Sequence, residues 1–389
     1  MNSQQWMDIM DWEKLVADCV DFTRRLIQTP SMPYEEAALA ALIAAEMRGL
    51  GFDEVWDDEI GNVYGRLQGQ DRSLPALVLN THLDHVDRGD PALWSAPPFA
   101  GEIVDGRIVG RGAADIKGPL AVQVYAMAAL RRLGVRPRRD VVFSGVVQEE
   151  IGGAGSQYWV EHLDYPVAAV ILGEPSANQI ALGHRGITQV WVQFDGRSVH
   201  ASVPDKGRNP NYALATFLHK LEQAQHTLSH HDLLGATTVA PTLIEVDTKS
   251  RNVTPAWARV LLDFRTASES LRSLETFIHT LAGDWPHTIT TAWRPDTPNA
   301  DEIIYGFYTP PEHDLVQRAR ALIAEGTGQE PGLTSYSFAT DGRLFVPYHI
   351  PVIGYSPATE DQAHIAGESI AISSMADSLR GHVTLLQNF

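Results

Sequence analysis

Three short apolar runs in the first half of the chain have the pattern of strands that are buried on both faces. They are ALVLNTH from Ala76, DVVFSGVV from Asp140 and VAAVILG from Val167. Unbroken runs of this length are typical of a sheet covered on both sides. A helical pattern, KGPLAVQVYAMAALRRLG, separates the first two runs, and residues 11–28 and 34–50 also have helical spacing. This order predicts an α/β fold whose mixed, mostly parallel sheet is covered by helices.

A second pattern begins near Ile187. The strand-like segments are ITQVWVQFDG, TTVAPTLIEV, AWARVLLDFRT and HTITTAWRP, and the helical ones are NPNYALATFLHKLEQAQ and ESLRSLETFIHTLAG. The order β-α-β-β-α-β is typical of a ferredoxin-like α+β sandwich. After about residue 300, a helix (EHDLVQRARALIAEG) and an apolar run (HIPVIGYS) follow. We therefore predict an inserted domain at 187–300, with residues 1–186 and 301–389 forming one larger domain.

Charge and composition narrow the choice of partners. The 389 residues carry 48 acids against 30 bases, a net charge of −18. Such a surface repels phosphate backbones and anionic lipid heads, although the excess of acids can also serve solubility alone. The single cysteine, Cys19, excludes an intrachain disulfide. We find no signal-peptide pattern and no apolar run of about 18 residues, so we expect a cytoplasmic protein without nucleic-acid or membrane partners.

Acids and histidines follow the predicted buried strands, where charged groups are unexpected. The segments are THLDHV, GRGAADIKG, VVQEEIGG, LGEPSAN and DQAHIAGE, with candidate residues His82, Asp84, Asp115, Glu149, Glu150, Glu174 and His364. Each motif alone is ordinarily a surface pair, a turn or a solvated acid. Together they would crowd carboxylates at one sheet edge, where repulsion disfavours their charged forms. Divalent cations relieve that repulsion, and imidazole with carboxylate is a ligand set that suits zinc.

The joint pattern resembles the two-zinc metallopeptidase family that contains aminoacylases, acetylornithine deacetylase, succinyl-diaminopimelate desuccinylase and carboxypeptidase G. The matching segments lie between about residues 76 and 370. They are NTHLDHV, GRGAADIKGPLA, VVQEEIGGAG, GEPSANQIALGHRG, SVHASVPDKGRNP, NVTPAWARVLLDFR, FATDGRLF and AHIAGE. The resemblance implies a zinc-peptidase-like catalytic domain and an inserted lid domain through which two subunits form a homodimer.

The resemblance also implies a set of metal ligands. Asp115 would bridge two Zn²⁺ ions, with His82 and Glu174 completing one site and Glu150 and His364 the other. Cobalt and manganese can use the same ligands. The ions would make hydroxide available near neutral pH and stabilise the oxyanion of the reaction.

Two further acids have implied roles beside the ligands. Asp84 would accept a hydrogen bond from His82 and so orient its ring. Glu149 would be the general base, which takes a proton from water and passes one to the leaving amine.

Residues outside the ligand set are implied to contact the substrate. His200, in SVHASVP, matches a histidine that reaches the oxyanion, often from the partner subunit; capping of a local strand is the alternative. The implied substrate-binding residues are Arg185, Asn252, Arg265, Thr340 and Gly342. For Arg185 and Arg265, surface salt bridges remain an alternative.

One of the implied metal ligands, Glu174, indicates the class of substrate. In the family, the position of Glu174 is commonly Asp in peptidases and Glu in deacylases, so Glu174 favours the deacylation of an N-acyl amino acid. The loop FATDGRLF also resembles the desuccinylase branch, although Ala339 and Pro119 depart from the usual residues and leave the acyl group open. A dipeptidase or carboxypeptidase that acts on short peptides is the alternative. A non-catalytic ligand-binding relative is a third, but it would be expected to lack Glu149 or a ligand.

Overall fold

The computed structural model describes residues 9–291 and 306–389. Its helices are α1 (Trp12–Ile27), α2 (Ala37–Gly49), α3 (Gly118–Arg132), α4 (Ala154–Glu161), α5 (Pro210–Ala224), α6 (Leu271–Ala282), α7 (Asp314–Thr327) and α8 (Ile372–Asn388). Its strands are β1 (Glu54–Asp57), β2 (Val63–Leu67), β3 (Ala76–His82), β4 (Glu102–Val104), β5 (Arg107–Val109), β6 (Val141–Val146), β7 (Val167–Leu172), β8 (Ile180–His184), β9 (Gly186–Asp195), β10 (His230–His231), β11 (Gly235–Ala236), β12 (Thr238–Val246), β13 (Trp257–Thr266), β14 (His287–Thr291), β15 (Phe307–Tyr308), β16 (Leu333–Tyr336), β17 (Val352–Gly354) and β18 (Ser369–Ala371).

The chain divides into two compact units. The first contains Met1–Gly183, Tyr308–Tyr336 and Thr340–Phe389, and the second contains His184–Phe307 with Ser337–Ala339. The predicted boundary between residues 300 and 301 lies outside the described residues, as does the end of the predicted strand HTITTAWRP. None of the helices in the described ranges combines the length and the apolarity that a bilayer crossing requires.

A nine-stranded mixed sheet forms the centre of the first unit, in the order β1-β2-β6-β3-β7-β17-β8-β15, with β16 paired to β8. The central strands β6, β3, β7 and β17 are parallel, while β1, β2 and β8 pair antiparallel. All seven residues of β3 are buried. The predicted mixed sheet is therefore confirmed; it is parallel in its middle, and the apolar runs are its middle strands.

Helix α3 is buried on every side from Gly118 to Leu130. It contacts β3 and β6 on the sheet and the helices α1 and α8. A helix covered on all sides has no need of a polar face, which explains the nearly continuous apolar sequence AVQVYAMAAL. By contrast, α1 is amphipathic, and the side chain of Asp11 caps its first turn by accepting from the Lys14 N–H at 3.0 Å.

The second unit has an antiparallel sheet in the order β12-β13-β9-β14. Its core contains alternate residues of β9 and β13 together with apolar residues of α5 and α6. The burial of β9 alternates along the strand, as expected for a sheet with helices on one face. The predicted β-α-β-β-α-β order is thus observed over the described part of this unit.

Candidate metal centre

Three parallel strands bring four of the candidate side chains of the first unit to one sheet edge. His82 is the last residue of β3 and pairs in register with Val146, the last residue of β6. Glu149 and Glu150 begin a short 3-10 turn after β6, and Glu174 lies two residues beyond the end of β7. Because parallel neighbours end at the same edge, residues that are distant in sequence meet there.

Two groups of possible metal ligands share Asp115. His82, Asp115 and Glu174 form one group, and Asp115, Glu150 and His364 form the other; within each, the ligand atoms lie within 4.8 Å of one another. The Nε2 of His82 is 2.9 Å from Oδ1 of Asp115, and the Nε2 of His364 is 3.2 Å from its Oδ2. Each oxygen of one carboxylate therefore faces a different imidazole, as expected of a ligand that bridges two ions.

The carboxylate of Asp84 connects two of the ligand-bearing segments. It is fully buried, and it accepts hydrogen bonds from the backbone N–H groups of Glu149 (to Oδ1) and Glu150 (to Oδ2), both at 3.1 Å. The Nδ1 of His82 lies 2.9 Å from the backbone carbonyl of Asp84 and 3.4 Å from its Oδ1. The ring of His82 and the turn after β6 are thus held by one residue, of which the sequence indicated only the contact with His82.

The turn after β6 has a backbone that only certain residues adopt easily. Gln148, Gly152 and Gly153 have φ values of 60°, 132° and 82°. A side chain at Gly153 would also collide with the carboxylate of Asp341. Glycine therefore lets this turn fold tightly against the buried Asp341 and presents Glu149 and Glu150 to the sheet edge.

The electrostatics of the site are those of crowded acids around two imidazoles. Burial raises the pKa of Glu149 and of Glu174 well above the usual range, and neighbouring carboxylates add to this effect. Burial also opposes ionisation of Asp115, but hydrogen bonds with His364 and His82 outweigh it and lower its pKa. Hydrogen bonds to Asp115 and Glu150 raise the pKa of His364 to about 10. A pair of divalent cations suits this excess of carboxylate charge.

Two candidate residues of the second unit lie side by side. His200 is exposed, and its Nε2 is 3.5 Å from the side-chain amide of Asn252. The N–H of Ser202 donates to Nδ1 of His200 at 3.2 Å. Ser202 and Asn252 therefore hold the two ring nitrogens of this exposed histidine.

The remaining candidates are engaged locally. Arg265 forms an ion pair with Asp263 at 2.8 Å, and Arg185 donates to the carbonyl of Ala236 at 3.2 Å. In the first unit, the hydroxyl of the buried Thr340 accepts from the N–H of Gly342 at 3.2 Å. These contacts orient the three side chains, and their part in substrate binding stays a prediction.

The sequence did not single out two buried acids near the site, Asp341 and Glu368. Asp341 belongs to the segment FATDGRLF and Glu368 ends AHIAGE, but neither residue is among the predicted site residues. The one available signal was sequence proximity to predicted site residues. His85, the second histidine of THLDHV, is instead structural: it accepts from the Ser31 N–H at 3.0 Å, and burial lowers its pKa to about 4.

Comparisons with known proteins agree with this geometry. The family model described as "Peptidase family M20/M25/M40" matches residues 78–388. Protein YgeY of Escherichia coli K12 is 29% identical over 90% of this chain and 89% of its own, and succinyl-diaminopimelate desuccinylase 2 of Ruegeria sp. TM1040 is 28% identical over 92% and 91%. The solved structure of Bacillus subtilis YXEP, a dinuclear metal binding peptidase, has a TM-score of 0.68 at 15% identity over 97% of this chain and all of that one. The resemblance inferred from the sequence is confirmed: the chain belongs to peptidase family M20/M25/M40 and is a metal-dependent amide hydrolase.

Proposed function

We propose that the protein uses two metal ions to remove the acyl group from an N-acyl amino acid. The main support for two metal ions is the position of Asp115. Its two carboxylate oxygens face the imidazoles of His82 and His364 at 2.9 and 3.2 Å. A single metal would need only one of these oxygens. The dinuclear site named for the Bacillus subtilis relative supports the same arrangement.

The two ligand groups fit zinc by the chemistry of their donors. One ion would be held by His82, Asp115 and Glu174, and the other by Asp115, Glu150 and His364. Three protein ligands with room for a further one are typical of catalytic zinc sites. When bound, such a pair supplies Lewis acidity and water that ionises near neutral pH.

Glu149 is proposed as the general base and acid. Its backbone is held by Asp84, its side chain is partly buried, and its pKa is raised by burial and by the charges of Glu174 and Asp341. A carboxyl group that ionises nearer to neutral pH is suited to accept a proton and return it. Glu149 would take a proton from the attacking water and deliver it to the nitrogen of the leaving amine.

His200 is proposed to donate a hydrogen bond to the oxyanion. The residue is exposed and the Ser202 N–H donates to its Nδ1, so Nε2 would be the nitrogen that donates to the oxyanion. Arg185, Asn252, Arg265, Thr340 and Gly342 are proposed to contact the rest of the substrate. The variant His200→Ala should lower the turnover rate while the metal content stays unchanged; an unaltered rate would remove His200 from this role.

Two observations favour an acyl group over a peptide. Glu174 is the longer of the two acids found at this ligand position, and the Ruegeria relative is named a desuccinylase. At 28% identity that name supports the class of reaction without specifying the acyl group. Cleavage of short peptides is the second candidate, because the Bacillus subtilis relative is named a peptidase.

A hydrolysis screen with purified, zinc-loaded protein tests the proposal. We expect N-acetyl or N-succinyl amino acids to be cleaved with a higher kcat/KM than free dipeptides. Preferential cleavage of dipeptides would assign the protein to the second candidate. The variant Glu149→Ala should reduce kcat by about 10²- to 10⁴-fold with the metal content unchanged. Full activity of that variant would refute its role as the base.

A homodimer is proposed to form through the second unit. Strand β12 is at the edge of its sheet, and the side chains of Leu243 and Ile244 are 52% and 59% exposed. An exposed apolar edge strand is a template for pairing with a second chain. Ile244→Lys should shift the mass measured by light scattering from dimer to monomer, whereas Tyr212→Lys, at another exposed apolar position of this unit, should not. A monomeric wild-type protein would contradict this proposal.

A further inference from the structure

Glu368 is a fully buried acid that collects hydrogen bonds from the segment carrying Asp115. Its Oε1 accepts from the backbone N–H groups of Ala114 at 2.8 Å and Asp115 at 2.9 Å. Its Oε2 accepts from the N–H of Gly112 at 3.0 Å and from Nη1 of Arg111 at 2.7 Å. All four donors belong to residues 111–115, so one carboxylate holds the chain segment that leads to Asp115, the proposed bridging ligand.

This segment satisfies only part of its own backbone: the Lys117 N–H bonds to the carbonyl of Gly112, whereas the N–H groups of Ala114 and Asp115 bond to Glu368. Asp115 and Ile116 have φ/ψ values of −125°/85° and −143°/16°, which are not helical. The N–H groups of Ala114 and Asp115 therefore need an acceptor from elsewhere, and both residues are buried away from water. Glu368 is that acceptor, and its charge is balanced by the guanidinium of Arg111.

The same residue also ties down the segment that carries His364. Only three residues separate His364 from Glu368, and the backbone carbonyl of Glu368 accepts from the Gly110 N–H at 2.9 Å. Immediately afterwards, β18 pairs with β5 through Ser369 and Val109. The chain beyond His364 is thus joined to the chain before Asp115 by both main-chain and side-chain hydrogen bonds.

These hydrogen bonds affect the position of His364 relative to Asp115, the two side chains proposed to face the metal. His364 is exposed and has a φ of 63°, so its local sequence does little to fix it. Its Nε2 is nevertheless 3.2 Å from Oδ2 of Asp115 and 3.1 Å from Oε1 of Glu150. The anchored segment on its C-terminal side limits where this imidazole can lie relative to Asp115.

We infer that Glu368 is a positioning residue that sets the spacing between Asp115 and His364 and thereby the metal affinity of the group formed by Asp115, Glu150 and His364. The inference rests on the proposed two-metal function. The group formed by His82, Asp115 and Glu174 shares only Asp115 with the anchored segments, so its affinity depends less on Glu368.

The variant Glu368→Gln removes the charge and keeps the shape. A glutamine has one acceptor oxygen and an NH₂ group, so its NH₂ would face either the N–H groups of Ala114 and Asp115 or those of Gly112 and Arg111. Two donors cannot bond to each other, and the segment must shift. Glu368→Asp retains both acceptor oxygens on a side chain that is one methylene shorter, and it should recover part of the lost affinity.

Glu269 offers a matched control in the second unit. It is also a buried glutamate that accepts from a backbone N–H, that of Ser229 at 2.7 Å, and it also accepts from the hydroxyl of Thr237. It belongs to neither ligand group. Glu269→Gln should therefore lower the melting temperature without changing metal affinity.

The test titrates cobalt(II) into the metal-free protein and follows the visible absorption of each bound ion, so that no substrate is needed. Glu368→Gln should bind one of the two ions about 10- to 100-fold more weakly than wild type. With metal in saturating excess, kcat should fall while KM stays near the wild-type value. Glu368→Asp should give an intermediate affinity. The melting temperature in chelator separates this effect from a loss of folding.

Equal cobalt affinities for wild type, Glu368→Gln and Glu368→Asp would overturn the inference while leaving the two-metal function intact. A wild-type protein that binds no pair of cobalt ions would overturn both. If Glu368→Gln does not fold, Glu368→Asp decides: weaker binding of one ion at a melting temperature like that of Glu269→Gln supports positioning, and wild-type affinity refutes it.

Discussion

The buried imidazole of His382 is expected to make the folded protein less stable in mild acid. His382 lies on α8 and is fully buried. Its Nδ1 donates to the carbonyl of Ser378 at 2.9 Å, its ring packs 4.7 Å from that of Tyr355, and among the described residues no group is hydrogen-bonded to its Nε2. Burial lowers its pKa to about 4, because a charged ring would be far from water.

The size and sign of the effect follow from this pKa. In the unfolded chain, the ring takes up a proton as the pH falls through about 6.5. In the folded protein it stays neutral until about pH 4. Unfolding therefore binds a proton between these values, and stability falls as the pH is lowered. At pH 5 the contribution of His382 to the free energy of unfolding should be about 2 kcal/mol less than at pH 7.5.

The variant His382→Phe isolates this contribution. Phenylalanine has a similar ring and does not titrate, and the Ser378 carbonyl can still accept its helical hydrogen bond. Urea unfolding followed by circular dichroism should show that the difference between variant and wild type shifts by about 2 kcal/mol in favour of the variant from pH 7.5 to pH 5. Met375→Leu, a buried apolar change on the same helix, should show no such shift. An equal pH dependence of His382→Phe and wild type would refute the reasoning.

Three further outcomes follow from the site and the two units. Adding zinc to chelator-treated protein should raise its melting temperature, because bound metal adds about 4 kcal/mol to the free energy of unfolding when the free metal is 1,000 times Kd. A melting temperature that does not change with zinc would contradict the metal assignment. Asp84→Asn removes an acceptor for the N–H groups of Glu149 and Glu150, so calorimetric titration should show about 10- to 100-fold weaker metal binding, and unchanged binding would exclude the connecting role of Asp84. Phe264→Ala in the core of the second unit should lower the free energy of unfolding by about 3–5 kcal/mol in urea, while the cobalt affinity stays at the wild-type value.

The middle of the large sheet could be predicted because a strand that is buried on both faces has an unbroken run of apolar residues. Each of the three apolar runs became a parallel strand, and β3 is buried over its whole length. The second unit was equally predictable because its strands β9 and β13 alternate between a buried and a more exposed face. In contrast, the assignment of Ser337–Ala339 to the second unit depends on tertiary contacts and has no local pattern.

The metal-facing residues could be predicted for a different physical reason. An acid or imidazole at the end of a buried strand is costly unless something compensates for it, so the exceptions to the apolar pattern are themselves informative. The same reasoning could not find Glu368. Its partner Arg111 is 257 residues away in the chain, and neither residue stands next to an apolar run that would predict its burial.

Asp84 shows where sequence reasoning ends within the site itself. That Asp84 would contact His82 was implied by the family resemblance of the segment NTHLDHV. That its carboxylate would also accept from Glu149 and Glu150 could not be inferred, because the contact requires β6 to lie beside β3 with His82 in register with Val146. Apolar patterning predicts that both strands are buried in a parallel sheet but not that they are neighbours. The arrangement of Glu149, the proposed general base, relative to the proposed metal ligands is therefore set by strand order, which local sequence does not specify.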